Sequence, residues 1–337
     1  MKTRLIKIFS FLSFACGALS LSLMLIRGYL GDNFFQITQD FFPPVGRILH
    51  TDKNDYSFAV ASDTGSNNLV LQSIINAIRK SDKNYEFILY LGDLITDKPK
   101  SHLYWMTAEI KPKLKHLPFY MVPGNHDVYK KTKVDKKPYK AIFGPEYYWF
   151  GYGEVLFIAM DSSEEKIDDA QLEWLSQTLT RIRPAFKSCI IYGHVPPRDE
   201  NFPEKTHTLD KISTDKFENI LKKHDIDLLL FGHVHYFSET TFAGIPAYTA
   251  PSAGQRIRGG EKHYGYIGVT IKSDELKSIE PHYIKTPKAK REKLDVFLVQ
   301  NVLSTRVRRT SLSLFGIGIV FYAVAALLRR RASKSQH

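Results

Sequence analysis

Five short polar clusters in the middle of the chain are built from residue types that bind metal ions. They are Ser62-Asp63-Thr64-Gly65, Gly92-Asp93, Gly124-Asn125-His126-Asp127, Gly193-His194 and Gly232-His233-Val234-His235. Carboxylate oxygen, carboxamide oxygen and imidazole nitrogen suit Mn, Fe, Zn or Ni. None of the clusters contains a cysteine, which argues against a structural zinc site. The residue types therefore indicate a catalytic metal centre.

Each cluster directly follows an apolar run that is typical of a buried strand. Strands are predicted at 57–62, 86–91, 118–122, 154–160, 187–192 and 227–231, with later ones at 241–250, 264–271 and 279–284. Helical patterns at 67–80, 103–114, 168–181 and 214–224 alternate with the first six strands. This alternation predicts an α/β sandwich. Because ligands bind beyond the carboxyl ends of such strands, we expect the clusters to meet there.

A single cluster would carry little weight. A Gly-Asp pair after a strand is usually an ordinary turn, and a lone histidine there is more often hydrogen-bonded than a ligand. His233 and His235 are a stronger signal, because alternate residues point to one face. The five clusters together, in order at strand ends, favour one active site. Two metal ions about 3.5–4 Å apart, bridged by a carboxylate, would supply hydroxide and clamp a phosphoryl group.

The five clusters resemble the pattern of the calcineurin-like metallophosphoesterase superfamily: Asp-x-His, Gly-Asp, Gly-Asn-His-Asp or Glu, His, and Gly-His-x-His. The resemblance extends from about residue 57 to 284. Further similar segments are Phe143-Gly144-Pro145, Tyr147-Tyr148-Trp149-Phe150, Asp161-Ser162-Ser163, Gln171-Leu172-Glu173-Trp174-Leu175 and His194-Val195-Pro196-Pro197. The resemblance implies a four-layer α/β/β/α sandwich. It also implies a phosphatase or phosphodiesterase with two metal ions (Mn, Fe, Zn or Ni) and a metal-bound hydroxide.

The resemblance further implies a role for each polar residue. The implied metal ligands are Asp63, Asp93, Asn125, His194, His233 and His235. Asp93 would bridge the two ions. Asn125, His194 and His233 would complete one site, whereas Asp63 and His235 would belong to the other. His126 would bind no metal, but would stabilise charge or protonate the leaving oxygen.

One position departs from the superfamily pattern. The first cluster usually ends in histidine two residues after its aspartate, and here that position is Gly65. Purple acid phosphatases also have glycine there, and they supply a tyrosine three residues after the second aspartate. That position is Thr96 in this chain. The Asp63 site is therefore expected to lack one protein ligand. Water, Thr64 or Asn67 are the candidates to replace it, and weak metal binding at this site is the alternative.

The net charge of +12 suggests nucleic acid as a partner, but the excess belongs to the two ends. Residues 33–305 carry 36 basic and 34 acidic residues, which disfavours that partner. A phosphorylated small molecule or lipid is the expected substrate. The substrate-binding residues are not assigned, although the lysine-rich segment 129–140 and Arg198, His207, Arg256 and Arg258 are candidates. Solvated loop charge without a specific role is the more common interpretation of such residues, but the position of the segment beside the Gly-Asn-His-Asp cluster favours attraction of an anionic substrate or lipid headgroups.

Both ends of the chain contain a charge-free run of nineteen residues, at 8–26 and 310–328. Each is close to the roughly 20 residues that span a membrane. The alternatives are a cleaved signal peptide at the first run and a buried terminal helix at the second. The expected domains are an anchor (1–31), a catalytic domain (50–285), a basic linker (286–309), a transmembrane helix (310–328) and a basic tail (329–337). Cys16 and Cys189 are too few for a disulfide framework.

The basic residues beyond each run predict the orientation. Both tails are basic, so the positive-inside rule places both in the cytoplasm and the catalytic domain outside it. Arg306, Arg308 and Arg309 oppose this orientation, because they would fall on the outer side.

The sequence is also compatible with two alternative functions. Gly65 is compatible with a degenerate member that binds a phosphorylated ligand without hydrolysing it. The retained histidines argue against such decay. A nuclease is the other alternative, and the small charge of the central region disfavours it.

Overall fold

The computed structural model describes residues 2–32, 41–96, 100–130, 134–198, 207–285 and 305–333. The strands are β1 (Ile48–Leu49), β2 (Tyr56–Ala61), β3 (Ile88–Tyr90), β4 (Phe119–Met121), β5 (Tyr129–Lys130), β6 (Val134–Asp135), β7 (Tyr148–Tyr152), β8 (Val155–Ala159), β9 (Ser188–Tyr192), β10 (Leu228–Phe231), β11 (Ser238–Phe242), β12 (Ile245–Thr249), β13 (Gly265–Lys272) and β14 (Glu275–Tyr283). The α-helices are α1 (Lys2–Asp32), α2 (Asn68–Lys80), α3 (Lys100–Leu114), α4 (Lys137–Phe143), α5 (Asp169–Arg181), α6 (Lys211–Leu221) and α7 (Thr305–Ser333).

The chain divides into two compact units. The first contains Met1–Gln36 and Phe297–His337, and the second is Ile37–Val296. We call them the helical unit and the catalytic unit.

Two mixed sheets form the catalytic unit. One has the strand order β1-β7-β8-β9-β10-β12-β11, and the other has the order β14-β13-β2-β3-β4. Within the second sheet, β2, β3 and β4 are parallel, while β13 pairs antiparallel with β2. Parallel neighbours need crossover connections, which α2 and α3 supply. The strands β2, β3, β4, β9 and β10 end at the clusters identified in the sequence.

Aromatic and aliphatic side chains fill the space between the two sheets. Phe58 of β2 meets Phe157 of β8 edge to face, with ring centroids 5.3 Å apart. Phe150 stacks on Phe157 at 4.9 Å. All three side chains are fully buried. This packing fixes one sheet against the other and thereby sets the positions of their strand ends.

The amphipathic faces of α5 and α6 cover the outer face of the larger sheet. Leu172 and Leu175 of α5 and Phe217 of α6 share a core cluster with Ile191 and Leu229 of that sheet. Capping residues fix where the helices begin, since Asp168 accepts a hydrogen bond from the Gln171 amide at 2.8 Å. The structure thus confirms an α/β architecture with mixed sheets.

The predicted elements are largely confirmed, with two kinds of difference. Residues 241–250 were expected to be one strand, but β11 and β12 form a hairpin across Ala243 and Gly244, both with positive φ. The short elements β1, β5, β6 and α4 were not predicted, because two to seven residues are too few to show a period. The aromatic strand β7 was also missed. Cys16 and Cys189 are free, as expected.

The helical unit consists of α1 and α7 packed together. Phe9 and Phe321 lie 5.7 Å apart between ring centroids. A β-carbon at Gly318 would stand 3.4 Å from the Ser13 carbonyl oxygen. Within the described residues, no helix combines the length and the apolarity that crossing a membrane requires. The segments 8–26 and 310–328 lie within α1 and α7 and are helical. Their prediction as transmembrane helices is not supported.

Candidate metal centre

Six side chains of metal-ligand type converge at the carboxyl ends of the strands. Asp63 follows β2, Asp93 follows β3 and Asn125 follows β4, while the histidines follow β9 and β10. Two groups of buried residues bring ligand atoms within 4.8 Å of one another. The groups are Asp93, His194, His233 and Asp63, Asp93, His235. Asp93 belongs to both groups. A carboxylate that bridges two metal ions would be shared in this way.

Glycine allows the Asp93 and Asn125 turns to touch. Gly92 has φ +92°, and a β-carbon on it would lie 2.5 Å from the Gly124 amide nitrogen. A β-carbon on Gly124 would in turn lie 2.2 Å from a carboxylate oxygen of Asp93. No other residue type fits at these contacts. The Gly-Asp and Gly-Asn pairs are therefore structural requirements of the site.

Four of the converging residues have a left-handed backbone. The φ angles are +62° for Asp63, +58° for Asp93, +71° for His233 and +65° for His235. Such a conformation is uncommon outside glycine, although Asp and His adopt it more readily than most residues. Its clustering at one place is typical of functional sites.

The first group is arranged around His194. Its Nδ1 lies 2.6 Å from the carbonyl oxygen of Leu91. Because a carbonyl oxygen only accepts, Nδ1 carries the proton, and the Nε2 lone pair of a neutral ring faces inward. Nε2 lies 3.0 Å from Asn125 Oδ1 and 3.1 Å from His233 Nδ1. This side of the ring therefore presents electron pairs toward a common point.

The second group is held in the same way. His235 Nδ1 lies 2.9 Å from the Arg256 carbonyl oxygen, so its Nε2 faces Asp63 Oδ1 at 3.4 Å. The other oxygen of Asp63 accepts a hydrogen bond from the His233 amide at 2.9 Å. The chain thus orients one Asp63 oxygen through the backbone and leaves the other directed toward His235.

Two orphaned atoms show that the residues fit a cation. Asp63 Oδ1 and His233 Nε2 are buried and have no hydrogen-bond partner among the described residues. A buried polar atom without a partner costs about 1–3 kcal/mol. Carboxylate and imidazole groups bind divalent metal ions. The donor set therefore suits a metal ion better than an empty polar core.

The electrostatics of the two carboxylates differ. Burial and the nearby charge of Asp63 raise the pKa of Asp93. Burial also opposes ionisation of Asp63, but the nearby charge of His235 outweighs it and lowers the pKa of Asp63. Burial, with the neighbouring His194, lowers the pKa of His233 well below its usual value. A neutral imidazole is the form that binds metal.

Asp127 is a positioning residue that the sequence did not single out. Its carboxylate accepts hydrogen bonds from the amides of Asp93 at 2.7 Å, Gly124 at 2.9 Å and Ile95 at 3.2 Å. Burial and the charge of Asp93 raise its pKa. Asp127 thereby joins the Asp93 and Asn125 turns. Its place at the end of the Gly-Asn-His-Asp run was the available signal.

His126 lies beside the ligands without joining them. Its amide donates to Asp93 Oδ1 at 2.9 Å. Its ring nitrogen Nε2 lies 3.8 Å from Asp93 Oδ2, and 31% of the side chain is exposed. The backbone contact fixes the residue, and its partly exposed ring lies beside Asp93.

Thr64 and Asn67 do not fill the place that Gly65 leaves open. The Thr64 hydroxyl accepts from Tyr90 at 2.6 Å. Asn67 uses its carbonyl oxygen to cap α2 at Val70 and its amide to contact Gly254. The backbone amide of Thr96 donates a hydrogen bond to the Ser66 hydroxyl. The two side chains proposed from the sequence are therefore engaged in holding the fold.

The basic candidates for substrate binding separate into two sets. His207 approaches the site, with its ring centroid 5.7 Å from that of His233, and its Nε2 lies 3.2 Å from Arg258 Nη1. Arg198 instead pairs with Glu218 at 3.0 Å.

The lysine-rich segment is divided in a similar way. Lys136 pairs with Asp161 at 2.7 Å and with Glu164 at 3.0 Å. Lys140 pairs with Glu146 at 2.9 Å. Residues 131–133 lie outside the described residues. Lys136 and Lys140 therefore neutralise acids, whereas His207 lies beside His233 and contacts Arg258.

Solved structures share this fold. A dimetal phosphatase from Danio rerio superposes with a TM-score of 0.54 at 14% identity, covering 68% of this chain and 97% of that one. Purple acid phosphatase PPD1 from yellow lupin gives 0.51 at 13% identity, covering 72% and 55%. At such identities the likeness concerns the fold alone.

Two curated relatives are similar in sequence. A probable glycerophosphodiester phosphodiesterase GpdQ from Arcobacter nitrofigilis is 27% identical over 188 residues, which are 51% of this chain and 64% of that protein. A probable cyclic nucleotide phosphodiesterase from Rhodococcus erythropolis is 25% identical over 225 residues, or 59% and 71%. The chain thus matches about two thirds of the length of each relative.

The sequence pattern of one family covers more than half of the chain. It is that of the calcineurin-like phosphoesterases, and it matches residues 56–237. This range contains the five polar clusters and every strand end at which they meet. On the strength of this match, the chain belongs to the calcineurin-like phosphoesterase family.

Proposed function

We propose that this protein is a metal-dependent hydrolase of phosphodiesters with a binuclear centre. One observation carries the proposal: the buried carboxylate of Asp93 belongs to two groups of ligand-type side chains at once. The names of the two curated relatives, both phosphodiesterases, favour a diester over a monoester. The metal ions are of the Mn, Fe, Zn or Ni class.

The proposed division of labour follows the contacts of each residue. When bound, two divalent ions would activate water and offset negative charge on the phosphoryl group. Asp93 would be shared between them. Asn125, His194 and His233 would hold one ion, while Asp63 and His235 would hold the other. The backbone carbonyl oxygen of Leu91 orients His194, and that of Arg256 orients His235. Metal-binding histidines commonly have such hydrogen-bond partners.

His126 is proposed to give a proton to the departing oxygen. Its ring is partly exposed beside Asp93, and its amide is fixed by the Asp93 carboxylate. A ring in this position reaches a substrate oxygen without competing with the ligands for metal. Protonation matters most for a poor leaving group, because a good one departs without help.

A comparison of two chromogenic substrates tests the diester preference. The full chain would be stripped of metal, then supplied with Mn, Zn, Fe or Ni, and assayed with bis(nitrophenyl) phosphate and nitrophenyl phosphate. We expect metal-dependent turnover and a higher kcat/KM for the diester. A higher kcat/KM for the monoester would contradict the diester assignment while leaving the phosphoesterase assignment intact.

The His126→Ala variant should lose about 10²- to 10³-fold in kcat on an alkyl phosphodiester. The loss should be much smaller with a nitrophenyl leaving group, and metal content should match that of the wild type. His116→Ala, a change of the same kind at an exposed helix-end position, is the control and should leave both rates unchanged. Equal losses with the two leaving groups would show that His126 is not the proton donor.

A member that binds without cutting is the second candidate function, and Gly65 is the observation that favours it. Failure of the metal-loaded chain to hydrolyse either ester, together with retained binding of a phosphorylated ligand, would establish this alternative. Hydrolysis of DNA or RNA that falls steeply with salt would instead indicate a nuclease.

We further propose that the helical unit attaches the protein to a membrane, with both termini cytoplasmic and the catalytic unit outside the cytoplasm. Support comes from large apolar side chains of α1 and α7 that are exposed, among them Phe11 at 69%, Phe14 at 75% and Tyr322 at 67%. Support also comes from the basic residues that flank both apolar runs. Apolar surface of this extent needs a partner, and lipid meets that need.

Flotation of the full chain with anionic lipid vesicles tests the attachment. We expect the wild type to float and a Phe11→Ser, Phe14→Ser double variant to float much less. Ile212→Ser removes a side chain of the catalytic unit that is 70% exposed, and it should float as the wild type does. A double variant that floats normally would exclude attachment through α1. A fluorescent protein fused to the C-terminus should fluoresce in cells only if that end is cytoplasmic.

A further inference from the structure

The space beside Gly65 is already filled by another side chain. A β-carbon built on Gly65 would stand 2.3 Å from Cγ and 2.9 Å from Cδ of Gln255. Atoms this close overlap, so residue 65 cannot carry a side chain while Gln255 keeps its position. Gln255 therefore occupies the volume into which a histidine at position 65 would extend.

The backbone fixes Gln255 at this place. Its amide donates to the Asp63 carbonyl oxygen at 2.8 Å, and its own carbonyl accepts from the Ser252 hydroxyl at 2.9 Å. Gly254 before it has φ +152°, and a β-carbon there would meet the Thr64 carbonyl oxygen at 2.6 Å. The segment that carries Gln255 thus lies directly against the Asp63 turn.

The carboxamide of Gln255 reaches the centre itself. Its Nε2 donates to Asp93 Oδ2 at 3.3 Å. Asp93 belongs to the group that also contains Asp63 and His235, and this is the site that lacks the histidine. The side chain is only half-buried, so it can turn. Rotation about its last bond, which is a broad torsion, would place the oxygen where the nitrogen now lies beside Asp93. A bound cation would offset the repulsion between the two oxygens.

We propose that Gln255 replaces the missing histidine as a ligand, offering its carboxamide oxygen to the metal ion held by Asp63, Asp93 and His235. The inference rests on the binuclear centre of the proposed function. It also has a consequence for the metal. A site that exchanges imidazole for an oxygen ligand favours a harder ion, so this position should prefer Mn²⁺ to Zn²⁺ more than a histidine-containing site does.

Metal binding to the full-length chain tests the proposal directly. Mn²⁺ would be titrated into metal-free protein, with affinity followed by calorimetry and the pairing of ions by electron paramagnetic resonance. The wild type should bind two Mn²⁺ and show the spectrum of a coupled pair. Gln255→Met, which keeps the length of the side chain and removes its oxygen, should bind one ion as before and the second at least about tenfold more weakly.

A complementary pair of variants separates ligation from folding. In Gln255→Ala the space beside residue 65 is vacated, and adding Gly65→His should restore the second ion and shift preference toward Zn²⁺. Histidine tolerates the left-handed φ of +57° at this position better than most residues. Gln177→Met, at an exposed glutamine of α5, is the matched control and should bind both ions as the wild type does.

The outcomes discriminate between this inference and the proposed function. Two coupled Mn²⁺ bound with wild-type affinity in Gln255→Met would overturn the role of Gln255, whatever the activity. A wild type that binds two ions and hydrolyses no phosphoester would overturn the proposed function and leave the ligand assignment standing. Failure of the Gly65→His, Gln255→Ala chain to regain the second ion would also count against the inference.

Discussion

Asp93→Asn should abolish phosphodiester hydrolysis, with kcat/KM lowered by about 10³-fold or more. The change is nearly isosteric, but it removes the one charge that both groups of ligands share. Loss of several kcal/mol of charge stabilisation in the transition state corresponds to a factor of this size. Metal analysis of the dialysed variant should show both ions depleted, because a carboxamide cannot bridge two cations as a carboxylate does.

Asp225→Asn is the control for this substitution. The Asp225 side chain is 92% exposed, and we expect its variant to keep both metal content and rate. An Asp93→Asn enzyme that retains one tightly bound ion and a tenth of the activity would show that a single site suffices, and the binuclear assignment would be wrong.

Metal loading should stabilise the catalytic unit by a large amount. A ligand at 100 times its dissociation constant contributes about 2.7 kcal/mol per site. For a unit of this size, about 2.7 kcal/mol raises Tm by roughly 5–10 °C. Melting curves of the full chain with and without Mn²⁺ measure this difference.

The stabilisation should also depend on pH. Burial raises the pKa of Asp93, and burial with the charge of Asp93 raises the pKa of the adjoining Asp127 to about 8. This carboxyl pair therefore keeps a proton at low pH, and the bound proton favours folding. That stability is lost as pH rises from the ordinary value of 3.8 through the raised pKa. Bound cations offset the charge that then develops. The increase in Tm on adding Mn²⁺ should therefore be larger at pH 8 than at pH 5.5.

Asp93→Asn again provides the comparison. Without the titrating carboxyl, the metal-free variant should lose less stability between pH 5.5 and pH 8 than the wild type does. An Mn²⁺ effect on the wild type that is equal at the two pH values would contradict the destabilisation attributed to Asp93.

The sequence allowed the architecture of the site to be predicted because its residues stand at strand ends. Gly-Asp and Gly-His pairs after apolar runs are local sequence signals. Because the strands before them are parallel neighbours, their carboxyl ends lie at one edge of each sheet and bring these pairs together. The convergence of Asp63, Asp93 and the histidines follows from that one rule. The glycine at position 65, where the superfamily has histidine, was equally visible in the sequence. Recognising it requires only Asp63 and the residue two positions later.

Gln255 could not be recognised in the same way. It is 162 residues from Asp93. The residues that stood out in its loop were the basic Arg256 and Arg258, which are not typical metal ligands. Only the close contact with Gly65 reveals it. Similarly, Lys136 was one of several equivalent lysines in the sequence, and its pairing with Asp161 depends on the packing of two distant loops.

The two ends of the chain illustrate a different limit. Charge-free runs of nineteen residues predicted helices, and α1 and α7 are helices. Apolar composition alone does not specify what surrounds a helix, because a helix partner and a lipid bilayer bury the same side chains. Phe9 and Phe321 are in fact directed at each other.

The pairing of β2 with β13 has a consequence for how this protein is made. The Ser57 and Thr270 hydroxyls face each other across these strands, although 213 residues separate them. At ordinary rates of synthesis, β2 therefore waits roughly 10 to 40 s on the ribosome for its partner. During that interval its apolar edge is open, and we expect chaperones to bind nascent chains that end before residue 265.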